Sequence, residues 1–187
     1  MEIAFSLLIG SFGVCVVLWL RARFASFHGQ KPTDYDGLGP DFDLRKHLNG
    51  KIHCEGVIFG PTGRVSSRFV ADMHGSWTGN TGVLSQSFRF DNGVTQERAW
   101  HLRLDENGHF DATADDIIGT GGGEQCGPTV QLRYRLRLPK DVGGHVLNTV
   151  DWMYIVPGGT IINRSQFRLF GIKVAELVAT MRPRENT

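Results

Sequence analysis

Residues 151–165, Asp-Trp-Met-Tyr-Ile-Val-Pro-Gly-Gly-Thr-Ile-Ile-Asn-Arg-Ser, hold the side chains best suited to chemistry. Pro157-Gly158-Gly159 is a turn signal between two apolar runs, so the stretch predicts a hairpin. The hairpin puts Asp151, Trp152 and Tyr154 on one strand and Asn163 and Arg164 on the other. A carboxylate, an amide and a guanidinium among aromatic and aliphatic groups have two uses. They can close a barrel internally, with arginine stacked on tryptophan and neutralised by aspartate. They can also fix the polar head of an amphipathic ligand in an otherwise apolar cavity. In the first case Asp151 and Arg164 are expected to depend on each other, directly or through Asn163; in the second, removing either is expected to lose the ligand and leave the fold nearly intact. Arg98 and Trp100 repeat the arginine–aromatic pairing on another strand.

Asp115 and Asp116 are adjacent carboxylates, a pairing that can serve acid–base chemistry or a metal. Consecutive strand residues point to opposite faces, so the expectation is one inward aspartate paired with Arg98 or Arg164. Gly119-Thr-Gly-Gly-Gly-Glu-Gln-Cys-Gly-Pro128 lacks the Lys-Ser/Thr ending of a phosphate loop and precedes no helix pattern. It is expected to be a flexible loop at the mouth of the barrel. The histidines are scattered and give no Ser-His-Asp arrangement, and the cysteines form no CxxC or zinc spacing. No catalytic residue, metal ligand or cofactor is assigned. The ligand-binding candidates are Arg98, Trp100, Asp115, Asp116, Asp151, Trp152, Tyr154, Asn163 and Arg164.

The elements that must position these groups are strands. In Arg64–Trp77, Val65, Phe69, Ala71, Met73 and Trp77 share one parity, while Arg64, Ser66, Arg68, Asp72 and His74 share the other. That is the period of a half-buried strand. Asn92-Gly93 between alternating runs is a hairpin signal, and Asp105-Glu-Asn-Gly108 closes another. In Thr129–Pro139, Val130, Leu132, Tyr134, Leu136 and Leu138 face one way and Gln131, Arg133, Arg135 and Arg137 the other. The arginine row is a solvated strand face rather than a nucleic-acid stripe, because Tyr134 points away from it and no base could stack there. Eight to ten such strands in succession, without crossover helices, predict an antiparallel up-and-down β-barrel. A barrel of that size either fills with side chains or holds one small ligand.

The chain has 187 residues, 41% hydrophobic and 21% charged, with 24 glycines and a net charge of +1. That balance excludes a basic nucleic-acid binder. Ile3–Leu20 carries no charge. As a helix it covers most of a hydrocarbon core of about 30 Å. No Lys or Arg precedes it and no small-x-small site follows, which disfavours a cleaved signal. Residues 1–21 are therefore read as a transmembrane anchor or signal-anchor. Residues 22–41 follow as a linker, 42–183 as the barrel domain and 184–187 as a tail. Asp41 or Asp43 is expected to N-cap one short helix that Gly50 closes. Cys54 and Cys126 can form a disulfide in an oxidising compartment or remain thiols. Arg21 and Arg23 after the span place the domain on the cytoplasmic side by the positive-inside rule.

Several spaced motifs resemble the bacterial DUF3833 family from about Phe42 to Arg182. They are Trp77-Thr-Gly-Asn80, Thr95-Gln-Glu-Arg-Ala-Trp100, Ala114-Asp-Asp116, Asp151-Trp-Met-Tyr154 and Asn163-Arg-Ser165. The resemblance implies a lipocalin-like barrel, exported or lipidated in Gram-negative bacteria, with no established activity. Cys15 departs from that pattern, because Val14 stands where a lipidation signal has a small residue. The expectation is a single-pass protein of the bacterial inner membrane whose barrel binds a small hydrophobic or lipid-like ligand. The family implies the periplasmic side, against the flanking arginines. Alternatives are an enzyme of lipid or isoprenoid modification and a ligand-free envelope protein. No nucleic-acid partner is expected, and no protein partner is assigned.

Overall fold

In the computed structural model, residues 2–184 are described, apart from the side chains of residues 2–8 and 22. Ten antiparallel strands follow one another around a closed barrel. They are β1 (Gly50–Phe59), β2 (Val65–Thr78), β3 (Thr81–Phe90), β4 (Thr95–Leu104) and β5 (His109–Thr113). Then come β6 (Gly121–Cys126), β7 (Thr129–Arg137), β8 (Val146–Ile155), β9 (Ile161–Leu169) and β10 (Ile172–Pro183). β1 closes the ring on β10, with Cys54 opposite Met181 and Val57 opposite Val178. Closure leaves no edge strand to pair with another chain.

Alternation sorts each strand into an inner and an outer row. Phe69, Ala71 and Met73 of β2, Trp100 and Leu102 of β4, and Val130, Leu132 and Tyr134 of β7 are buried in one core. Arg133, Arg135 and Arg137 are exposed on the outside of β7, as expected of a solvated row. β6 corrects the sequence reading, in which this glycine run was a flexible loop at the mouth. It pairs on both sides, Gly123 with Phe110 and with Leu132. A Cβ at Gly123 would lie 2.2 Å from the Phe110 ring, so the glycine admits the aromatic. A run of glycines has no side-chain alternation to betray the strand.

One end of the barrel is shut. Asp43 caps the helix α2 (Leu44–His47) through the Arg45 amide. Leu44 and Leu48 drop into the core, each burial contributing roughly 1.5–3 kcal/mol. The helix ends at Leu48; Gly50, with φ of +73°, lies beyond it and starts β1. Trp77 Nε1 donates to Leu48 O at 3.0 Å. A Cβ at Gly75 would sit 1.9 Å from that oxygen, so glycine lets the plug lie directly on β2. The other end, where β1, β3, β5, β7 and β9 finish, is open.

The segment expected to be a linker is laid along the outside. Phe27 packs with Val150 and Trp152, and Tyr35 packs against Trp152 and Tyr154. Gln30 Oε1 accepts from Tyr154 Oη at 2.8 Å. Before this strap runs the helix α1 (Glu2–Phe24). Among the described residues no helix is long and apolar enough to cross a membrane. The expected span Ile3–Leu20 falls in part on residues 3–8, whose side chains lie outside that description. The expected tail falls largely on 185–187, also outside it.

Candidate functional site

The inner rows of β4, β7, β8 and β9 bring polar groups to one wall of the barrel interior. Arg98 and Trp100 are two apart on β4 and so share a face. The Arg98 guanidinium lies 4.2 Å from the Trp100 ring centre and 5.9 Å from that of Tyr134. Arg98 Nε donates to Asp116 Oδ1 at 3.1 Å. Nη2 is equally near that oxygen but off its hydrogen-bonding direction, so it is buried without a hydrogen-bond partner. Burial raises the Tyr134 hydroxyl pKa, an effect the nearby Asp151 reinforces and Arg98 opposes.

Asp151 sits beside this pair. Ser165 Oγ donates to its Oδ1 at 2.8 Å, and the Asn163 amide donates to the same atom. Asn163 also donates to the Trp152 carbonyl at 3.1 Å, which fixes its amide. Burial pushes the Asp151 pKa up, against the pull of Ser165, Asn163 and the Arg98 charge. Gln86 Oε1 and Thr149 Oγ1 add buried acceptors without partners among the described residues.

Of these groups, Gln86, Arg98, Trp100, Tyr134, Asp151, Asn163 and Ser165 line an inner cavity of about 110 Å³, completed by apolar side chains such as Met73, Leu84, Phe110 and Met181. Toward the open end lies a larger space of about 540 Å³, walled by Ile58, Phe90, Leu136, Leu147, Leu169 and Val174. Phe69, Phe88, Arg98, Phe167 and Leu177 border both spaces and form the neck between them. The mouth therefore suits an apolar body, and the floor presents donors and acceptors for a polar end.

The register corrects the expected Asp151–Arg164 pair. Asp151 faces Ser165 and Met153 faces Asn163 across the hairpin, while Trp152 faces Arg164. Asp151 and Asn163 thus point inward, and Trp152, Tyr154 and Arg164 belong to the outer row. Arg164 Nε donates to Glu176 Oε1 at 2.6 Å, and its guanidinium lies 4.8 Å from the Phe27 ring centre. Burial pushes Glu176 up, but Lys173 and Arg164 hold its pKa below the usual value. Trp152 is fully buried beneath the strap, stacked on Tyr154 at 5.8 Å. Of the paired acids, Asp116 reaches the mouth on Arg98 and Asp115 is exposed.

Tyr134, Ser165, Gln86 and Thr149 were not among the candidates. Tyr134 had a signal, since its parity with Val130 and Leu132 already placed it inward. Cys54 and Cys126 are free thiols, and burial raises the Cys54 pKa to about 12. Among the described residues no group of three or more His, Cys, Asp or Glu is placed to hold a metal.

The family described as a protein of unknown function, DUF3833, matches residues 22–183. No curated protein matches the chain. Solved structures share the fold, two of them as follows. Rv2717c from M. tuberculosis aligns with a TM-score of 0.56 at 15% identity, covering 79% of this chain and 99% of its own. The S-type phycobiliprotein lyase CPES from Guillardia theta aligns at 0.55 and 8% identity, covering 77% of this chain and 92% of its own. At these identities the likeness is one of fold.

Proposed function

The chain belongs to the DUF3833 family, and from that premise we propose that this lipocalin-like barrel is a membrane-tethered carrier of one small amphipathic, lipid-like molecule. The observation that carries the reading is the Arg98 Nη2 group, buried without a hydrogen-bond partner below an apolar mouth of about 540 Å³. A mouth of that volume is within the range of small-molecule sites. A buried N–H with no acceptor in line is costly even beside the Asp116 carboxylate, and an acceptor on a ligand would relieve it. The head group would meet Arg98, with Tyr134 and Gln86 near it, and the chain would lie along the neck and mouth. A filled structural barrel fits poorly with that mouth.

The tether reading rests on α1. Its side chains at Ile9, Phe12, Val14, Val17, Leu18 and Trp19 are exposed. A helix apolar on all sides finds its solvent in a protein core or a lipid bilayer. The barrel would then sit at the bacterial inner membrane. If so, the full chain stays with membranes through an alkaline wash; release of the uncleaved chain into the soluble fraction overturns the tether.

Ligand binding is tested by native mass spectrometry of the full chain extracted from its own membranes. The wild type is expected to carry a small molecule. Arg98→Met should lose it, while Arg164→Met, altered only outside, should keep it. An empty wild type, or equal occupancy in both variants, overturns the reading. An enzyme of lipid modification is the second reading. Asp151 favours it, because this cavity carboxyl is held by Ser165 and Asn163 rather than by an arginine. The fold shared with the lyase CPES supports that second reading.

A further inference from the structure

We infer that the open rim of the barrel docks onto the lipid bilayer, so that the mouth faces the membrane. The inference rests on the tether reading and adds an orientation to it. Beyond Phe24, seven large apolar side chains are exposed among the described residues: Leu38, Val65, Val94, Val142, Val156, Phe170 and Ile172. Five of them ring the open end. Val65 opens β2, Val94 lies in the β3–β4 turn, Val142 in the β7–β8 connection, and Phe170 and Ile172 at the β9–β10 turn. Side chains from four well-separated stretches of the sequence thus converge on one end of the barrel. The shut end offers only Leu38 and Val156 among these residues.

Phe170 adds an independent observation. It is 91% exposed with φ of +50°, and Gly171 follows at +81°. Leu169 and Ile172 pair directly around them, so this is a two-residue hairpin turn with both φ values positive. Such turns favour Asn-Gly, and an aromatic at the first position is strained. The fold gains nothing from a strained and exposed phenylalanine. A membrane interface does, because it accepts the ring.

The strap identifies the occupant. Arg168, near the open end of β9, donates from Nε to His28 Nε2 at 2.6 Å and from Nη1 to Gly171 O at 2.7 Å. His28 is four residues past the end of α1, and a Cβ at Gly29 would lie 2.8 Å from Arg23 O. The apolar helix therefore joins the barrel on the side of the open rim, with Arg21 and Arg23 in its last turn. A helix seated in a bilayer from that junction brings the apolar rim to the interface and its arginines to the lipid phosphates. A ligand could then pass between membrane and mouth without crossing water.

The test uses the full chain in phosphatidylcholine vesicles containing brominated acyl chains. Single environment-sensitive fluorophores are attached at Val94→Cys, Val142→Cys or Phe170→Cys. Controls at the shut end are Glu106→Cys and Val156→Cys. Cys15→Ser and Cys126→Ser remove the other reachable thiols. Quenching at the three rim sites, with none at the two controls, is expected. Co-flotation with vesicles but no difference between rim and control labels overturns the docking and leaves the tether standing. Failure to co-float overturns both. In a second measurement, Phe170→Asn should raise the thermal midpoint, because it suits the turn, yet reduce quenching at Val142. Unchanged quenching there also overturns the inference.

Discussion

Replacing Arg98 by Met probes the wall of the site most directly. The substitution removes one partner of an ion pair whose side chains are 16% and 27% exposed. Breaking a fully buried pair costs about 3–5 kcal/mol. Asp116, however, lies at the mouth, where water can replace the guanidinium, so the loss is nearer the ~1–3 kcal/mol of a charged hydrogen bond. The stacking on Trp100 at 4.2 Å adds about 0.5–2 kcal/mol. Methionine keeps the volume, so no large cavity term follows. The sum is a loss of about 1.5–5 kcal/mol, or roughly 3–20 °C in Tm at this chain length. Thermal unfolding of wild type, Arg98→Met, Asp116→Asn and the double variant forms a cycle. The double variant should lose clearly less than the sum of the singles. A loss below about 1 kcal/mol for Arg98→Met, with additive singles, would refute the buried-pair reasoning.

The raised pKa of Asp151 sets a sign. The unfolded carboxyl ionises first, so this contribution is intact below about pH 3.9 and is lost as pH rises through the folded pKa. Asp151→Asn keeps the acceptor used by Ser165 and Asn163. It should match wild type near pH 3 and exceed it at pH 7 in urea unfolding; equal stability at both pH values would contradict the assignment. Trp152→Ala should cost about 3–5 kcal/mol by emptying the space under the strap, whereas Trp152→Phe should cost less, because the indole Nε1 has no hydrogen-bond partner. Both leave the barrel interior intact, so native mass spectrometry should still find the co-purified molecule. Gly75→Ala should push the Leu48 backbone off β2 and speed hydrogen exchange in α2, while Gly122→Ala, with nothing within 4 Å of its Cβ, should leave α2 exchange unchanged.

The barrel was legible because alternation is a local property. Phe69, Ala71 and Met73, or Val130, Leu132 and Tyr134, declare their inner face without knowledge of any partner strand. The Asn92-Gly93 turn and the Asp43 cap are local for the same reason. β6 was hidden because glycines carry no alternation; its place is fixed by Phe110 and by the strands on either side.

The site divides along the same line. Sequence alone determined that Arg98 and Trp100 share a face and that Asp151 stands in a hairpin with Asn163 and Arg164. It also put the apolar stretch Ile3–Leu20 ahead of the barrel. Cross-strand register decided which carboxylate meets which arginine, and a shift of one residue turns every side chain to the other face. Only the closed barrel showed that Arg164 serves Glu176 and the strap outside, and that Asp116 reaches Arg98 from a loop. Only the tertiary structure gathered Val65, Val94, Val142, Phe170 and Ile172 on one rim. Each is unremarkable within its own stretch of chain, and their common end is a property of how ten strands close.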